Sequence, residues 1–128
     1  MNADDEPCGT FDTLLISATD ISYDDVFPLA RQFHAVAVPA HIDKSTTSLI
    51  SQLGMVPPWS TFRLAEVKHW GQLPQLIAEQ PYLQRCSFLH SSDAHSLAAL
   101  QQPLHQLEAA ERTGEAVFDA LWRLQYGE

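Results

Sequence analysis

Ala35-Val36-Ala37-Val38-Pro39-Ala40-His41-Ile42-Asp43-Lys44 decides the fold. Apolar residues in succession at Val36-Ala37-Val38 predict a parallel strand buried on both faces, since a half-exposed strand would alternate. Pro39 lacks an amide hydrogen and suits a strand end. His41 then falls where the strand passes into a loop. The design recurs at Ser87-Phe88-Leu89, a short apolar strand followed by a loop that carries Asp93 and His95. Carboxylate and imidazole at the carboxyl ends of parallel strands are what a βα architecture offers a metal ion.

Working outward, Phe62 to Val67 predicts a further strand, and helices fall between the strands. Ser22-Tyr23-Asp24-Asp25 has a hydroxyl cap and acids suited to a first helical turn, with Val26, Phe27, Leu29, Ala30 and Phe33 continuing at helical spacing. Ser45 to Leu53 predicts a short helix closed by Gly54. Leu73 to Ala78 predicts another, ending before Pro81. Thr113 caps a C-terminal helix over residues 113–126, with Val117, Phe118, Leu121, Trp122 and Leu124 as its apolar stripe. Residues 1–12 read as a polar leader. They are followed by the apolar run Leu14-Leu15-Ile16, and residues 13–128 read as one domain. Strands alternating with helices at this spacing predict an α/β fold. It is either a partial (βα) barrel or an open parallel sheet of a few strands flanked by helices.

The chain has 128 residues, 45% of them hydrophobic, enough for one folded core but short of a full (βα)8 barrel of roughly 250 residues. Seven Lys and Arg against sixteen Asp and Glu give a net charge of −9. That balance disfavours nucleic acid and anionic membrane as partners, both of which need a basic face. Cys8 and Cys86 are isolated and form neither a disulfide framework nor a zinc motif. Cys86 opens an apolar run and reads as a buried thiol. The acidic N-terminus lacks the features of a secretory signal, and no stretch reaches the roughly 20 apolar residues of a membrane span, so a cytoplasmic location is expected.

Val38-Pro39-Ala40-His41-Ile42-Asp43, Ser48-Leu49-Ile50-Ser51-Gln52-Leu53-Gly54 and Ser91-Ser92-Asp93-Ala94-His95 together resemble the PHP (polymerase and histidinol phosphatase) family, closest to its stand-alone phosphoesterase-like members. The resemblance covers roughly residues 14 to 100. It implies a distorted (βα)7 barrel whose strand ends bind several metal ions and hydrolyse phosphate esters. It makes His41, Asp93 and His95 metal positions, for zinc, manganese or iron. The family's N-terminal His-x-His motif occurs nowhere in these 128 residues, so the chain resembles the C-terminal half of a member. In the family these three ligands belong to different ions, whereas a catalytic zinc usually has three protein ligands. Weak metal binding and little or no autonomous hydrolysis are therefore expected.

Other residues near these strand ends are secondary candidates. Glu66, His69 and His90 could face the same mouth, although strand alternation would turn His90 away. Asp43 and Lys44 could meet a substrate phosphate, Lys44 as a point charge. His34 and His105 read as surface residues in helices, and Trp59, Trp70 and Trp122 as core or interface. Ser91 and Ser92 form no recognisable nucleophile arrangement. The expected partners are a phosphorylated small molecule and a protein surface. A half-barrel leaves raw sheet edges, which favours a homodimer or docking on an N-terminal half. The alternative to an enzyme is a non-catalytic remnant that serves as a binding or oligomerisation module.

Overall fold

Phe62, Leu64, Ala65 and Val67 are completely buried, and the chain is organised around them. The structure, a computed structural model, describes residues 3–4, 6–14, 18–101 and 105–128. β1 is Leu64–Val67 and β2 is Ser87–His90. They pair in parallel, Leu64 opposite Ser87 through Val67 opposite His90. Parallel neighbours need a long crossover. Residues 68–86 provide it as a 3-10 turn at Trp70–Gln72, a helix over Leu73–Glu79 and a second 3-10 turn at Pro81–Arg85. Pro74 sits in that helix's first turn, where no amide hydrogen is needed.

The other helices are α1, Tyr23–Gln32, α2, Leu49–Leu53, and α4, Gly114–Tyr126, with the crossover helix as α3. The molecule is thus mixed α/β, a two-stranded parallel sheet flanked by helices.

The strand expected at Val36–Val38 is not formed as a regular strand. The segment is nonetheless tied to β1's other edge. Glu66 donates its amide to the Pro39 carbonyl (2.9 Å), and its own carbonyl accepts from the Ile42 amide (2.9 Å). In a regular parallel ladder those two partners lie two residues apart. Here they lie three apart, and His41 takes up the extra residue with φ +31°. The segment is a bulged neighbour of β1, of the kind found beside functional sites.

Two layers cover β1. On one side Ala65 and Val67 join Phe27, Ile42, Val56, Phe62 and Leu83 in the buried core. On the other, α4 packs on β1, and the carbonyl oxygen of the buried Gln125 side chain accepts from the amides of Arg63 (3.1 Å) and Leu64 (2.9 Å). Thr113 caps α4 through the Ala116 amide, and Gly127 ends it with φ +78°, the left-handed conformation glycine adopts most readily.

Several local expectations are corrected. Ser22 does not cap α1 through backbone amides; its hydroxyl donates to the Asp25 carboxylate (2.5 Å). The helix expected from Ser45 begins at Leu49, because Thr47 is left-handed (φ +55°) and Ser48 forms a capping box with Ser51. Trp59 and Trp70 are exposed, at 66% and 44%, which removes the core alternative for them and leaves the interface one. His34 is exposed as expected but follows α1 instead of lying in it, its ring tilted against Phe118 and Trp122, and His105 lies outside any helix with its ring near Trp70. Cys86 is half-buried, and burial pushes its thiol up to about 11. Most of the run Leu14-Leu15-Ile16 lies outside the described residues.

Candidate functional site

The carboxyl ends of the three parallel segments carry a concentration of chemistry. His41, Asp43 and Lys44 follow the bulged segment, Lys68 and His69 follow β1, and Asp93 and His95 follow β2. Both of the chain's lysines are here.

Asp93 is the meeting point. Its Oδ2 accepts a hydrogen bond from Lys44 Nζ at 2.9 Å, and Lys68 Nζ lies 3.8 Å from the same oxygen. Its other oxygen lies 3.4 Å from His95 Nε2. The Lys44 ammonium holds the Asp93 carboxyl below the usual carboxylate range, with His41 and Lys68 adding to the effect. The Asp93 side chain is 15% exposed and that of His95 89% exposed, so the carboxylate sits in the mouth and the imidazole at its rim.

Backbone strain marks the same residues. Among the described residues, the non-glycine positions with positive φ are His34, His41, Thr47 and Asp93. Two of these four are predicted ligand positions. Such conformations cost of order 1–3 kcal/mol and cluster at functional sites, so their coincidence here supports a site. His41 Nδ1 is buried with no hydrogen-bond partner. A buried polar atom left unpaired is costly and calls for an explanation.

A second carboxylate, Asp43, is built differently. It accepts the backbone amides of Lys68 (2.9 Å) and His69 (2.6 Å), and pairs with His69 Nδ1 (2.9 Å). Burial pushes its carboxyl up, but the hydrogen bonds outweigh burial and hold it below the usual range. An ionised carboxylate only accepts, so His69 Nδ1 carries the proton and, in the neutral ring, Nε2 is left with its lone pair. Asp43 thus locks the loop after His41 onto the end of β1.

The fold brings Asp93 and His95 together, 3.4 Å apart, and places His41 at a neighbouring segment end. Among the described residues, however, no group of three or more His, Cys, Asp or Glu is placed to hold a metal ion. The secondary candidates divide. Asp43, Lys44 and His69 are in the cluster, and Glu66 contributes its backbone to the bulge. His90 is engaged elsewhere: its Nε2 lies 3.1 Å from the Lys68 carbonyl oxygen and its ring stacks on Trp70. Lys68 escaped the motif reading; its only signal is its position directly after a strand. Among the described residues no helix is long and apolar enough to cross a membrane. Comparison with protein-family models, curated proteins and solved structures finds no match to this chain.

Proposed function

We propose that the chain is a PHP-type half-barrel whose strand-end cluster is the C-terminal share of a phosphoesterase site, and that it does not hydrolyse phosphate esters by itself. One observation carries this reading. The phrases Pro39–Gly54 and Ser91–His95, far apart in sequence, meet at the same end of the parallel segments, with Lys44 on Asp93 at 2.9 Å. That is where a βα architecture keeps its ligands.

The residues present do not fit a metal ion as they stand. Asp93, the carboxylate among the three expected ligands, already has an ammonium on one oxygen and an imidazole beside the other. Two unit positive charges on one partly buried oxygen repel strongly. No reaction step is therefore derived through a metal. What the chain's own residues do is narrower. Lys44 and Lys68 supply positive charge at the mouth of an otherwise acidic protein, suited to the oxygens of a phosphate ester. Asp43 holds the loop that presents Lys44.

The test is metal analysis of the purified chain, followed by a p-nitrophenyl phosphate assay with added manganese or zinc. Substoichiometric metal and no turnover are expected. Turnover that disappears in His41→Ala and Asp93→Asn would overturn the reading and make the chain a self-sufficient enzyme.

A second reading, a non-catalytic oligomerisation module, is favoured by β2. Its far edge has no ladder partner among the described residues, and unpaired edges recruit strands. Sedimentation at micromolar concentration decides: a dimer supports this reading, and a monodisperse monomer removes it.

A further inference from the structure

We propose that a cavity at the amino end of β1 binds a small molecule that presents a carboxylate or phosphate group beside an apolar body. The residues involved precede β1, whereas the strand-end cluster follows it, so the proposal stands apart from the phosphoesterase reading.

The cavity has a volume of about 520 Å³. Arg31 borders it from α1, Arg63 from the approach to β1, and Gln125 and Tyr126 from the last turn of α4. The chain has sixteen Asp and Glu, yet none of them lines this cavity, while two of its five arginines do. Arg63 has no ion-pair partner among the described residues. Its Nη1 reaches over the end of α4, 3.2 Å from where a side chain on Gly127 would begin. Arg31 lies 5.5 Å from the centre of the Tyr126 ring and pairs with Glu128, an acid that does not itself line the cavity. Gln125 is 1% exposed. Its side-chain oxygen already accepts two backbone amides, which fixes the orientation of the group and leaves the Nε2 donor buried without a partner. A buried donor left unpaired is costly, and an acceptor brought into the cavity would relieve that cost. Two guanidinium groups and an amide nitrogen are donors and not acceptors, so the group they select is an oxyanion. The guanidinium fork matches carboxylate and phosphate oxygens. Phe27 and the Tyr126 ring supply the apolar wall for the rest of the molecule.

The test is a 15N NMR titration of the full chain with benzoate, phenyl phosphate and neutral benzamide as probes. At least one anion should bind saturably and shift both the Gln125 side-chain amide and the Arg63 Nε–H signals, and the tighter of the two identifies the preferred group. Arg63→Gln, a change at an exposed side chain, should weaken that binding about tenfold, the scale of one lost charge-assisted contact. Arg112→Gln removes the same charge outside the cavity and should leave the affinity unchanged. Absence of saturable binding by both anions, equal binding of benzamide, or equal affinity in Arg63→Gln and wild type overturns the proposal. So do shifts confined to the segment ends that carry Lys44 and Lys68, which would place the oxyanion at the strand-end cluster instead. The Gln125 signal is read in the wild-type chain, so this arm holds even if a variant fails to fold.

Discussion

Asp43 and Asp93 are two carboxylates at the same end of the same sheet, both held below the usual range, by opposite means. Asp43 has a side chain only 4% exposed and takes two backbone amides, partners that cannot leave without unfolding the segment that follows β1. Asp93 is 15% exposed and takes two ammonium groups on flexible stems. The first arrangement is fixed by the fold. The second is held by side chains that reach it from two other segment ends. One acid is thus held by backbone, the other by side-chain charge.

The hardest way to break this contrast is Asp43→Ala. It removes the acceptor for two amides and an imidazole, and the freed donors at this partly exposed site recover part of the loss by bonding water. A loss of about 2–3 kcal/mol in urea unfolding is expected. An unchanged midpoint would show that the amides find other acceptors.

Acid should weaken the protein next. A depressed carboxyl adds stability above its unfolded pKa of about 3.9, and that stability is lost as pH falls through the lower folded value. Both acids obey this sign. Unfolding free energy should therefore decline as pH drops below about 4, and the decline should be shallower in Asp43→Ala than in wild type.

Asp93→Asn should cost less, and its cost should vanish in about 1 M sodium chloride, where the screening length is about 3 Å. The cost of Asp43→Ala should survive the same salt, since its lost partners are backbone amides. If salt erased both costs equally, the distinction would collapse. The smallest effect belongs to His69→Ala, which leaves Asp43 both amides; a change within about 1 kcal/mol is expected from the same urea titration.

Much of this layout is written in local sequence. Thr113 and the apolar stripe announce α4, and the runs before Val67 and before His90 announce β1 and β2. Gly54 ends α2 with φ +78°, as its sequence position predicts. What periodicity does not record is backbone geometry set by neighbours. Val36–Val38 has a strand's composition, but Pro39 donates nothing and His41 steps into the left-handed region, so the ladder slips by one residue. The Ser48–Ser51 box was present in the sequence, yet the expected helix starts at Ser45, three residues before the cap. The placing of His41, Asp93 and His95 just past the ends of apolar segments was legible in the sequence. Their wiring was not, because the meeting of Lys44 and Lys68 on Asp93 depends on which strand ends become neighbours.

Gln125 carries a consequence of another kind. One side-chain oxygen on α4 accepts the amides of Arg63 and Leu64, residues about sixty positions earlier in the chain. Those two protons are therefore shielded by a helix rather than by the adjoining strand. In deuterium exchange they should behave as a matched pair, replaced at the rate at which α4 lifts away, while the amides between β1 and β2 exchange on their own schedule. The beginning of the first strand thereby reports on the attachment of the last helix.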